Sequence, residues 1–97
     1  MRPINARVAL IGAGTIGVRY VESLRQNPGF EVLLVCSKNG ENAARFAKDN
    51  NLVALTLVGI LRDPNINYVL NLTPAEQHGE ITRACLAAGK SVYSENR

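Results

Sequence analysis

The stretch Val8-Ala9-Leu10-Ile11-Gly12-Ala13-Gly14-Thr15-Ile16-Gly17 decides how the rest of the chain is read. Val8 to Ile11 is a short, unbroken apolar run stopped by glycine, the pattern of a strand buried on both faces. From Thr15 the period lengthens. Ile16, Tyr20, Val21 and Leu24 return to one face at helical spacing, and Pro28-Gly29 marks the stop. Strand, glycine turn and helix thus follow one another without a gap.

Working outward, Phe30 to Cys36 reads as a second buried strand, and Glu41 to Asn50 as a helix carrying Ala43, Ala44, Phe46 and Ala47. Val53 to Leu55 is a short strand, and Thr56 caps a brief helix through Leu61 that ends at Asp63-Pro64. Tyr68 to Leu72 is another buried strand. Thr73-Pro74-Ala75-Glu76 has the form of a capping box with proline at the first helical position. Ile81, Ala84, Cys85 and Ala88 continue that helix to a left-handed stop at Gly89, and Ser91 to Ser94 closes as a strand. Alternating strands and helices require crossover connections, so the expected fold is three-layer α/β. Its parallel sheet has about five strands in the order 3-2-1-4-5, with helices on both faces.

The turn itself is G-x-G-x-x-G. Gly12 permits the tight bend, Gly14 lets the backbone approach a pyrophosphate, and Gly17 lets the helix close on the strand. The N–H groups at the helix start, from Thr15 and Ile16 onward, sit at the positive end of its dipole and favour phosphate. The competing reading uses the glycines for packing alone. The strand before the turn and the helix after it favour a dinucleotide.

Which dinucleotide depends on the far end of the second strand. Glu31 has the spacing of a ribose-binding carboxylate, but it opens that strand and lies about 20 Å from the carboxyl edge at about 3.3 Å per residue. Ser37-Lys38-Asn39 lies at the correct end. A hydroxyl and a cation there offer donors to a 2′-phosphate, which favours NADP(H) over NAD(H). The alternative for Lys38 is an ordinary solvated loop lysine.

Composition narrows the class. The 97 residues suit one domain, and the 46% hydrophobic and 20% charged fractions are those of a globular protein, not a disordered one. The net charge of +3 comes from scattered basic residues, and only 5% of residues are aromatic, so no nucleic-acid platform is expected. Cys36 and Cys85 have no metal-ligand spacing and read as small buried hydrophobes. No apolar segment is long enough to span a membrane, and the expected location is the cytoplasm.

Past Tyr68 the sequence becomes more specific. Val69-Leu70-Asn71-Leu72-Thr73-Pro74, then His78, then Ala87-Ala88-Gly89-Lys90-Ser91-Val92-Tyr93-Ser94-Glu95 resembles the glucose–fructose oxidoreductase/inositol dehydrogenase (Gfo/Idh/MocA) family. The resemblance runs from Val8 to Glu95 and implies a Rossmann domain binding NAD(P). It implies that Thr73 and Pro74 border the nicotinamide half, that His78 stands on the same wall, and that Glu95 approaches the nicotinamide ribose. From the residues alone, a partly exposed histidine at a helix start is the favoured reading of His78. Where the family has a catalytic lysine followed by proline, this sequence has Asn96 and Arg97. Asparagine donates no proton near neutral pH.

The expectation is therefore one NAD(P)-binding domain, residues 1–97, without the family's substrate domain and with no catalytic residue of its own. It would belong to an oxidoreductase of sugars, polyols or related small molecules and be inactive alone. The alternative is a non-catalytic nucleotide-binding module that senses or scaffolds. An open Ser91–Ser94 edge would also favour self-association, which light scattering tests: a monomer at high concentration refutes it.

Overall fold

The computed structural model describes residues 6–12 and 15–94. Strand and helix alternate throughout: β1 (Ala6–Ile11), α1 (Thr15–Arg25), β2 (Phe30–Cys36), α2 (Gly40–Asn50), β3 (Val53–Ala54), α3 (Leu57–Arg62), β4 (Tyr68–Asn71), α4 (Ala75–Ala87) and β5 (Ser91–Ser94). Every strand pairing is parallel, and the order across the sheet is β3-β2-β1-β4-β5. The chain builds outward from β1 to β3, then crosses back to place β4 on the other side of β1. That reversal leaves a crevice at the carboxyl ends of β1 and β4.

Both faces of β1 are covered. Val8 and Leu10 pack with Val21 of α1 and Phe46 of α2 on one face; Ala9 and Ile11 pack with Ile60 of α3 and Cys85 of α4 on the other. Side chains alternate across a strand, so burial on both faces demands consecutive apolar residues and explains the unbroken run. In β2 the register to β1 slips between Val8↔Val32 and Ala9↔Leu34. The extra residue resets the phase, so that Val35 joins the α1–α2 core and Cys36 the opposite one.

Four local expectations are corrected. The capping box at Thr73 does not form: α4 starts at Ala75, and its cap, Pro74, makes no side-chain bond. The Thr73 hydroxyl bonds to Asn71 instead. Gly17 is tight against α2 more than against a strand, since a Cβ there would lie 3.1 Å from the Phe46 ring and 3.9 Å from the Gly12 carbonyl oxygen. The third strand is two residues long, and α2 opens at Gly40, capped by the Asn39 side chain. The left-handed stop at Gly89 is present, with φ +83°.

Lys90 is buried, and its ammonium donates to the carbonyl oxygens of Asp63 at 2.9 Å and Ile66 at 2.7 Å. It thereby ties the entry to β5 to the loop before β4. A neutral side chain such as methionine would leave two carbonyls without this donor. Lys90→Met is expected to lower unfolding stability by about 2–4 kcal/mol, from charge-assisted bonds worth about 1.5–3 kcal/mol each. An unchanged urea midpoint would contradict that role.

Candidate functional site

The crevice holds a cavity of about 610 Å³. Ile11 and Gly12 line it from the end of β1, Cys36, Ser37 and Lys38 from the end of β2 and the loop after it, and Leu72, Thr73 and Pro74 from the turn after β4. Leu57 of α3 and Glu76, Gln77 and Ile81 of α4 close the remaining side. Hydrogen bonds lace the strand ends together beneath it: Gly12 N–H donates to the Cys36 carbonyl and Leu72 N–H to the Ile11 carbonyl, each at 2.8 Å.

Gly12 turns the chain at φ +101°, and a Cβ there would lie 3.1 Å from both the carbonyl carbon and the oxygen of Leu72. Only glycine meets both demands without strain. The chain then enters α1 at Thr15, whose first turn carries no acidic side chain. The first four N–H groups of a helix have no intrahelical acceptor, so this end suits an anion.

The other sequence-derived candidates are placed as follows. Gly12, Ser37, Lys38, Thr73 and Pro74 come together around the cavity, with Lys38 exposed. Thr15 and Ile16 form the start of α1, and Gly17 packs behind it against Phe46. Gly14 and Glu95 lie outside the described residues. Asn39 is occupied as a cap, its Oδ1 accepting from the N–H groups of Glu41 at 2.9 Å and Asn42 at 3.2 Å.

His78 sits in the early part of α4 and is not among the cavity-lining residues. Its Nε2 is buried without a hydrogen-bond partner. Leaving such a group unsatisfied costs about 1–3 kcal/mol. The close-fitting glycine turn on the cavity wall, where a Cβ would press on the Leu72 backbone, fits a dinucleotide site.

Asn71 was not singled out by the sequence reading. It is wholly buried at the end of β4. Its Nδ2 donates to the His78 carbonyl at 3.1 Å and to Thr82 Oγ1 at 2.9 Å; its Oδ1 accepts from Thr73 N–H at 3.1 Å and from the Thr73 hydroxyl at 2.6 Å. The available signal was an amide within an otherwise apolar strand run, Val69-Leu70-Asn71-Leu72.

Burial pushes the Cys36 thiol up to about 11, with the nearby Cys85 adding to the shift. Cys85 is also raised by its burial, against a smaller opposing effect of Lys90. Both thiols are free and protonated near neutral pH, which suits packing and not nucleophilic chemistry. Among the described residues no group of three or more His, Cys, Asp or Glu side chains could hold a metal ion, and no helix is long and apolar enough to cross a membrane.

Residues 6–96 match the model of the oxidoreductase family with an NAD-binding Rossmann fold, Gfo/Idh/MocA. The chain belongs to this family. Its NAD(P)-binding Rossmann domain is the part represented here. A 4-carboxy-2-hydroxymuconate-6-semialdehyde dehydrogenase from a Sphingobium species is 32% identical over 92% of the chain and 29% of its own length. A 1,5-anhydro-D-fructose reductase from Ensifer adhaerens is 33% identical over 92% of the chain and 27% of its own length. The crystal structure of biliverdin reductase from Synechocystis, in complex with biliverdin and NADP+, superposes with a TM-score of 0.87 at 29% identity. That superposition covers 96% of this chain and 30% of that one. The chain therefore spans less than a third of the length of these relatives.

Proposed function

We propose that the chain binds NADP(H) in preference to NAD(H), and that it serves an oxidoreductase acting on a sugar, polyol or related small molecule in the cytoplasm. The observation that carries the cofactor preference is the pair Ser37 and Lys38 on the cavity wall at the end of β2. A hydroxyl and an ammonium meet a 2′-phosphate with donors, where a carboxylate would repel it. Gly12, Gly14 and the start of α1 hold the pyrophosphate. Thr73, Pro74 and His78 take the nicotinamide side, with Glu95 at its ribose.

When bound, the nicotinamide supplies the hydride chemistry; this chain's own residues bind and orient it. The relatives, a dehydrogenase and two reductases by name, favour this reading over a sensing or scaffold module. Pairing between copies through the β5 edge belongs to the same proposal, because Lys90 at the entry to the strand is committed inward while Tyr93 is exposed.

Calorimetric titration tests the preference. NADPH is expected to bind about tenfold or more tightly than NADH, the scale of one charge-assisted hydrogen bond. Lys38→Glu should erase or invert that ratio. Equal affinities in the unaltered chain would remove the role given to Ser37 and Lys38.

A further inference from the structure

Thr73 lines the cavity with no hydrogen left to give. The orientation of the Asn71 amide is fixed by two backbone groups of unambiguous polarity. The His78 carbonyl can only accept, so it faces Nδ2, and the Thr73 N–H can only donate, so it faces Oδ1. An amide oxygen carries no hydrogen, and the 2.6 Å contact between Thr73 Oγ1 and Asn71 Oδ1 therefore requires the threonine hydroxyl to donate. Thr73 directs both its N–H and its O–H onto Asn71. What its side chain can still offer a ligand is the oxygen lone pairs and a methyl group.

We infer that Asn71 is a positioning residue that fixes Thr73 as a hydrogen-bond acceptor, so that this wall of the site receives a hydroxyl or amide N–H of the ligand and turns phosphate away. The inference rests on the dinucleotide reading above. A phosphate oxygen brought to Thr73 Oγ1 would set acceptor against acceptor, whereas a ribose hydroxyl or a carboxamide N–H finds a lone pair. The phosphates are thereby left to the start of α1, which has no acidic side chain in its first turn. One buried amide thus separates a donor-rich side of the site from an acceptor side. Because Asn71 also holds the His78 carbonyl and Thr82, the β4–α4 turn is set before ligand arrives, which reduces the ordering cost of binding.

The test pairs ligand titration with observation of the proton itself. Thr73→Val removes the hydroxyl at similar volume, and Thr73→Ser retains it. NADPH affinity should fall about tenfold in Thr73→Val and stay within about threefold in Thr73→Ser, the effect of losing one hydrogen bond to the ligand. Urea midpoints report separately on folding. In the unaltered chain, proton NMR should show a slowly exchanging Thr73 hydroxyl that persists when NADPH is added. Three results overturn the inference while leaving dinucleotide binding intact: loss of that resonance on binding, its absence in the free chain, or unaltered NADPH affinity in Thr73→Val. Failure of the unaltered chain to bind either NADPH or NADH would instead overturn the dinucleotide reading and this inference with it.

Discussion

Gly12→Ala is expected to weaken NADPH binding about a hundredfold, or about 2.8 kcal/mol, at 1.4 kcal/mol per tenfold. Two effects combine. The backbone there has φ +101°, a conformation that costs a non-glycine residue about 1–3 kcal/mol. The added methyl carbon would also lie 3.1 Å from the carbonyl carbon and oxygen of Leu72. Those are backbone atoms of the β4–α4 turn and cannot swing aside as a side chain would. Relief requires β1 and the turn to separate, which widens the crevice where Gly12 and Thr73 line it from the ends of adjacent strands. The unfolding free energy should fall by about 2–4 kcal/mol as well, the range of strain and overpacking effects together. Gly40→Ala is the matched control. A Cβ there meets nothing within 4 Å and φ is not positive, so the same substitution should leave stability unchanged or raise it by up to about 1 kcal/mol. Denaturant midpoints and NADPH titrations on the two variants check both halves; equal behaviour would remove the special role of Gly12.

Asn71→Leu should be the most destabilising single change at the site, by about 3–5 kcal/mol. The side chain is wholly buried and holds four partners. Leucine fills much of the space but leaves the Thr73 N–H and the Thr73 hydroxyl without their acceptor, and each buried polar group left unmade costs about 1–3 kcal/mol. The loss should concentrate in the β4–α4 turn. Amide hydrogen exchange at Thr73 should speed up by about two orders of magnitude or more, while amides of β1 and β2 follow only the global change. A stability within about 1 kcal/mol of the unaltered chain would show that solvent or a neighbour satisfies those groups, contrary to the network described.

The layout of the fold was legible because burial on both sheet faces imposes unbroken apolar runs, and the change to helical spacing marks each crossover. Val8 to Ile11 and Tyr68 to Leu72 carry that signal strongly. The strand order followed from the glycine turn and the alternation of elements, and the sheet has it. Local chemistry was less legible, because it depends on partners distant in sequence or on competition between near neighbours. The Thr73 hydroxyl had a choice between capping α4 and bonding to Asn71, and only the folded turn shows which acceptor is in reach. The partner of Gly17 is the ring of Phe46, set by how α1 and α2 lie together on one sheet face. Lys90 stands just before an edge strand in the sequence, yet its ammonium is taken inward by the distant carbonyls of Asp63 and Ile66. At the site, the glycine turn and Ser37-Lys38 were visible in the sequence, whereas the Asn71 network became visible only once β4 and α4 were placed together.

The central claim is that a dinucleotide lies across the carboxyl edge of the sheet at the β1–β4 reversal. Backbone amide NMR during an NADPH titration tests it most directly. Saturable shifts should concentrate at Gly12, Ser37, Lys38, Thr73 and Gln77, residues that line the cavity from β1, β2, β4 and α4. Shifts confined to β5 and the outer face of α4, or no saturable shift at millimolar NADPH or NADH, would contradict it.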